Sequence, residues 1–263
     1  MRTTKRMVGL AVAAMAAAAT VVTAPTAVAS PVSFCDQIGG QWDGQYCRTS
    51  VLSDRNPVRQ INIAIPAEID NPVIGGAISG YLTTLMNNWR TAAAQMHQNS
   101  RGDANFQVFH RGNIHTVLFH ETYDSESTGR FEGAAIQSAY RTFAFDSAAG
   151  RQIQLSDVVD VNAIPTLGAP YIQAALDQAV PPHQPNTYPF IPERWTPDKV
   201  YSGGYKAWAL TPNELILYMP DYPVARDTPI DFTPANYIWA ITGGIVQPRI
   251  PLSALAPALR AGI

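Results

Sequence analysis

The residues whose types could do chemistry are few and scattered. Ser202 precedes Gly203 and Gly204, a turn of the kind that exposes backbone amides, with His183 upstream and Asp198 and Asp221 nearby in sequence. A serine nucleophile needs a base within hydrogen-bond reach and a third group to orient that base, so Ser202 with His183 is the pair from which an esterase acting on short acyl esters could be built. Ser79 is a weaker candidate. Its surroundings, Gly76-Ala77-Ile78-Ser79-Gly80, are one residue out of register with a G-x-S-x-G elbow and fall inside a helical pattern. No triad is coherent in the sequence, and no catalytic residue is assigned.

Metal-binding patterns are equally thin. His115 and His120 lie five residues apart on one expected strand, and odd spacing sends them to opposite faces. His110 can face His115 across a hairpin, as a cross-strand polar pair. Glu121, Asp124 and Glu126 form an acidic run that lacks the glycine and spacing of a calcium loop and reads as a solvated turn. No metal and no cofactor is expected. Arg101-Gly102-Asp103 falls in what reads as a polar loop just past a long helix.

The two cysteines, Cys35 and Cys47, enclose eleven residues, three of them glycine. A chain exported into oxidising conditions closes such a pair into one disulfide loop, 35–47, which stabilises by about 3 kcal/mol in the chain-entropy model. Six prolines between Pro181 and Pro197 exclude regular helix and central strand from the loop 181–198. Its aromatics Tyr188, Phe190 and Trp195 are candidate binding residues for a partner. The competing reading folds them back over the domain as a small satellite cluster.

The elements that must position these groups are mixed. Arg59 to Ile65 alternates as a half-buried strand stopped by Pro66, and Ile74, Ile78, Leu82, Leu85, Trp89 and Met96 recur at helical steps from Pro72 to about Gln98, with Asn71 as N-cap. Phe106 to His110 and Ile114 to Tyr123 form one hairpin; Ala139 to Asp146 and Gln152 to Leu155 form another. A shorter helix is expected at Pro170 to Val180. Strands follow at Tyr205 to Leu210, Glu214 to Met219 and Gly244 to Ile250, before a closing turn at Ser253 to Leu259. The expected fold is α+β: one antiparallel or mixed sheet packed on one long amphipathic helix, with a Pro-rich loop insertion.

The N-terminus reads as an export leader. Arg2, Lys5 and Arg6 precede an apolar run from Val8 to Val22, and Ala27-Val28-Ala29 is the small-residue pattern that signal peptidase cuts after. Residues 1–29 are thus read as a signal peptide and 30–263 as a single secreted domain of 234 residues. Without the leader the chain holds 15 basic against 20 acidic residues, a net charge of −5, which disfavours nucleic acid and anionic membranes as partners. No later segment approaches the roughly 18 apolar residues of a membrane span.

Several stretches together carry a resemblance: the paired cysteines, Gln60-Ile61-Asn62-Ile63-Ala64-Ile65-Pro66 with the helix after it, Arg141-Thr142-Phe143-Ala144-Phe145-Asp146 leading to Ile153-Gln154-Leu155-Ser156-Asp157-Val158-Val159, and the ending Val246-Gln247-Pro248-Arg249-Ile250-Pro251-Leu252. In these the chain resembles the secreted immunogenic antigens of mycobacteria, the MPT-type antigens, whose main domain is similar to the extracellular part of the RsiV anti-sigma factors. The resemblance implies an α+β domain, secretion to the medium or cell wall, and no established catalytic site. One departure is plain: where the family carries a Gly-Gly-x-His-Pro turn, this chain has Gly129-Arg130-Phe131-Glu132-Gly133-Ala134-Ala135.

The sequence therefore points to a secreted, non-catalytic binding or host-interaction protein of the actinobacterial envelope or culture medium, its partner an unidentified protein or envelope ligand. Two alternatives stand beside it: a cell-envelope esterase built on Ser202 and His183, and a lysozyme-binding module by analogy with RsiV.

Overall fold

The computed structural model describes residues 30–94, 96–125, 137–179, 190–199, 201–219 and 246–263. Residues 1–29, the expected leader, and His183, Tyr188, Asp221 and Glu126 lie outside the described residues.

The chain begins with helix α1 (Pro31–Gln37), whose N-cap Ser30 accepts from the Ser33 amide and whose first residue is proline, as a helix start prefers. Strands β1 (Gln41–Trp42), β2 (Tyr46–Leu52) and β3 (Val58–Ala64) follow, joined antiparallel. The crossover helix α2 (Gly75–Ala93) then leads to β4 (Ser100–Arg111), which pairs parallel with β3. Strand β5 (Ile114–Ser125) returns from β4 through the two-residue turn Gly112-Asn113, with Gly112 at φ +54°. Strands β6 (Gln137–Asp146) and β7 (Arg151–Ile153) complete a seven-stranded mixed sheet in the order β1 to β7.

Short elements follow: α3 (Ile164–Leu167), α4 (Ala169–Ala179), strands β8 (Trp208–Leu210), β9 (Glu214–Leu217) and β10 (Arg249–Pro251), and α5 (Leu252–Leu255). The last three strands form a second, antiparallel sheet in the order β10-β9-β8. The expected α+β class holds, but the expected single sheet is two, because Tyr205 to Ile250 closes on itself rather than extending the first sheet.

Period-2 alternation assigns the two faces of the large sheet. Cys47, Ile61, Ile63, Ala104, Val117, Phe119 and Phe145 point to one side, where Ile78, Leu82, Leu85 and Trp89 of α2 meet them in one buried cluster. The small sheet packs on part of the other side, where Leu118 joins Ala207, Ala209, Ile216 and Tyr218. Around it, α4, α5 and the segment through Trp195 and Tyr205 enclose a further core. Helix α2 is shorter than its apolar pattern implied. Asn71 still caps the entry by accepting from the amides of Val73 and Ile74, and the regular helix begins at Gly75. Among the described residues no helix is long and apolar enough to cross a membrane.

Three points bear on the expectations here. Arg101-Gly102-Asp103 is no loop: it lies inside β4, and a Cβ on Gly102 would come within 2.8 Å of the Trp89 ring, so glycine is what lets α2 approach the sheet. Tyr46 to Leu52, to which the sequence reading assigned no element, is a full strand. In the Pro-rich segment, Phe190 and Trp195 are 8% and 1% exposed and stack at 6.3 Å inside the second core, as in the reading that folds these aromatics back over the domain.

Candidate functional site

At the N-terminal hairpin, local chemistry fixes a polar turn at the edge of the large sheet. Cys35 and Cys47 are bonded across a Cα separation of 5.3 Å, tying α1 to β2, and both are fully buried. A Cβ on Gly40 would come within 2.3 Å of the Cys47 sulfur, so only glycine fits beside the bridge. In the turn between β1 and β2, the Asp43 carboxylate accepts from the amides of Tyr46 at 2.7 Å and Gln45 at 2.9 Å and pairs with Arg48. The Tyr46 amide first, and the Gln45 amide next, hold its carboxyl below the usual range. The Arg48 guanidinium lies 5.6 Å from the centre of the Tyr46 ring, and the Tyr46 hydroxyl donates to Asn105 at 2.7 Å. Gln41, Asp43, Gln45 and Arg48 are exposed, and Trp42 and Tyr46 half-buried.

At the far edge of the same sheet, β7 pairs only with residues 144–146 of β6. Beside the rest of β6 lies a cleft of about 920 Å³ between α2 and the turn 203–206, with Gly76, Gly80, Tyr140, Gln152, Lys206 and Tyr218 in its wall. Tyr81 and Arg141 reach the cleft from a buried polar group. The Tyr81 hydroxyl donates to Glu121 at 2.5 Å, and the Arg141 guanidinium lies 3.4 Å from the same carboxylate oxygen. Glu121 is fully buried. Burial first, and the Glu121 charge second, push the Tyr81 phenol far above its usual range, so it remains a donor at any physiological pH.

This group corrects the reading of Glu121, Asp124 and Glu126 as a solvated turn: Glu121 faces α2 beneath Tyr81, and Asp124 lies within β5. The sequence signal was present in the alternation Val117, Phe119, Glu121, which places the carboxylate on the apolar face. Its partner Arg141 is two strand residues from the Phe143 position that pairs with Val117.

Of the candidate catalytic residues, His183 lies outside the described residues, and both serines are engaged locally. The Ser202 hydroxyl is buried, donates to the Lys199 carbonyl and accepts from the Gly204 amide, both at 2.9 Å; it closes the turn rather than awaiting a base. Ser79 sits on α2 and donates to the Gly76 carbonyl. His115 and His120 take opposite faces. His115 stacks on Phe145, while His120 stacks on Tyr140 with ring centres 4.3 Å apart. His110 and His115 are register partners with their Nδ1 atoms 2.7 Å apart, one ring donating to the other.

Residues 156–253 match a family model described as protein of unknown function (DUF3298), and residues 24–61 match one described as mannan-binding protein. The first span covers most of the second core; the second covers the hairpin. The chain is also similar to a solved DUF3298-family protein from Pseudomonas aeruginosa, at 9% identity over 82% of this chain and 94% of that one, with a TM-score of 0.43. A solved family member from Bacteroides fragilis gives 12% identity, 85% and 94% coverage, and a TM-score of 0.42. No curated protein matches the chain. The RsiV-like part of the expected resemblance thus stands in coarse form, as a DUF3298 match over residues 156–253, and these findings give no tie to the mycobacterial antigens.

Proposed function

We propose that the chain is an exported, non-catalytic binding protein of the bacterial envelope or its surroundings, freed from its leader after Ala29, and that its hairpin 41–48 recognises a mannan-type glycan. The observation that carries this reading is the match of residues 24–61 to the mannan-binding model, which falls on the disulfide-held segment of the chain. The chemistry of the hairpin supports it. A hexose offers neighbouring hydroxyls and apolar C–H patches; planar side chains such as Gln41, Asp43, Gln45 and Arg48 can take two hydroxyls at once, while Tyr46 offers an aromatic edge with a polar tip. Asp43 is already oriented by two amides, so little ordering is lost on binding. Antigenicity and actinobacterial origin rest on the resemblance alone.

The test is titration of the exported, oxidised protein with soluble mannan and, in parallel, with a dextran of matched size. Saturable heat with mannan and none with dextran is expected, and Asp43→Ala should remove it. Absence of mannan binding sinks the reading. So does turnover of a nitrophenyl ester that Ser202→Ala abolishes.

A further inference from the structure

We infer that the sheet face turned away from α2 is an extended platform for a neutral oligosaccharide, running from the hairpin across β2 to β6 toward the cleft. The inference rests on the glycan reading above and adds a second, separate stretch of contact made by residues beyond the mannan-binding match.

The platform follows from register. Directly paired residues share a face, so Arg48, Asn62, Asp103 and Thr122 form one cross-strand row on β2 to β5. The neighbouring row on the same face holds Tyr46, Asn105, His120 and Tyr140, with Ala64 between the first two. At about 4.8 Å per strand, the four spacings from β2 to β6 make a track about 19 Å long. Among the described residues, the small sheet meets this face around Phe109, Leu118, Tyr140 and Thr142. Arg48 is exposed, Tyr46, Asp103, Asn105, His120, Thr122 and Tyr140 are half-buried, and Asn62 is buried.

Both rows are held in place before any ligand arrives. Tyr46 reaches over Ala64 to Asn105, and the Asn62 amide donates to Asp103 at 2.8 Å. His120 lies parallel to Tyr140, whose hydroxyl accepts from Gln247 at 3.0 Å and whose ring meets Tyr218 at the cleft. In the middle of this bonded row the His120 Nε2 is buried without a hydrogen-bond partner among the described residues. A ligand hydroxyl that reaches that nitrogen would complete the row.

Charge selects the kind of chain. Arg48 is paired with Asp43 and Arg101 with Asp103, so the charges along the rows cancel. A phosphate or uronate polymer would find no excess of cation there, whereas a neutral polyhydroxyl chain finds alternating donors and acceptors at strand spacing.

The experiment is calorimetric titration of the oxidised protein with a mannose disaccharide and with a mannose hexasaccharide. The hexasaccharide should bind about tenfold tighter or better, the equivalent of one or two hydrogen bonds retained along the track. His120→Phe keeps the stack and the volume while deleting Nε2; Thr122→Val keeps the shape and deletes the hydroxyl. Each should weaken the hexasaccharide several-fold and leave the disaccharide unchanged, with the folded signal intact by circular dichroism. Equal affinity for the two sugars, or indifference of the hexasaccharide to both variants, overturns the platform while the hairpin reading survives. Failure of both sugars to bind overturns the reading on which it rests.

Discussion

On one face of the seven-stranded sheet Ile61, Ile63, Val117 and Phe119 have no exposed surface and lie under α2. On the other face of the same sheet stand Arg48, Asp103, Asn105 and Thr122. The difference shows which face determines the fold. Each fully buried aliphatic or aromatic side chain contributes roughly 1.5–3 kcal/mol, and a slip of one residue would move the whole set into water. Register is therefore set by the α2 face, and the opposite face can carry polar groups chosen for contact rather than for packing.

The α2 face also carries buried polar groups, and removing half of the Glu121–Arg141 pair is the largest expected effect. Glu121→Ala leaves Arg141 nearly buried beside Tyr81 with no carboxylate, and breaking a buried pair in this way costs about 3–5 kcal/mol. Glu121→Leu combined with Arg141→Met, which removes both charges, should recover most of that loss. Urea denaturation of the two variants and the parent separates these outcomes. If the single and the double variants lose stability equally, the ion pair is not what the polar group contributes.

The disulfide joins the two faces, because Cys47 points toward α2 while its neighbours Tyr46 and Arg48 point to the polar side. Replacing Cys35 and Cys47 together by alanine should lower stability by about 3 kcal/mol. The same change should also abolish mannan binding at temperatures where the remainder of the chain is folded. A double variant that binds as well as the parent would show that the hairpin holds its shape without the bridge, and would sever the proposed link between the apolar anchor and the polar surface.

How much of this the sequence disclosed follows from the range of each interaction. Helix α2, strand β3, the β4–β5 hairpin and the β6–β7 pair are written in local periodicity, and the cysteine pair in its spacing. The parallel pairing of β3 with β4 is non-local, so Arg101-Gly102-Asp103 read as a loop although it occupies the strand beside β3. Cross-strand rows are hidden for the same reason: Arg48, Asn62, Asp103 and Thr122 are neighbours through four strands and far apart in the chain. Glu121 showed its face by parity but not its partner. Phe190 and Trp195 were open to two placements, as partner contacts or as a cluster folded back over the domain, because proline-rich sequence excludes regular elements without deciding between them.

The smallest expected effect lies on the polar face and has a definite sign with pH. Burial depresses the His120 titration below its ordinary 6.5, with no compensating charge, and the same cause, followed by the nearby His110, depresses His115 on the α2 side. In the unfolded chain both rings take up a proton at the ordinary value; in the folded chain they resist until the pH is lower. Between those limits the unfolded state binds more protons, so stability rises with pH and falls on acidification from about 6.5 downward. His120→Phe removes one of the two contributors. It should flatten the slope of melting temperature between neutral pH and the onset of acid unfolding, with no change in the plateau above it beyond the relief of an unpaired buried nitrogen. A melting profile whose slope is unchanged by His120→Phe would leave the dependence to His115. The polar face would then be electrostatically silent in folding, and the contrast between the two faces sharper.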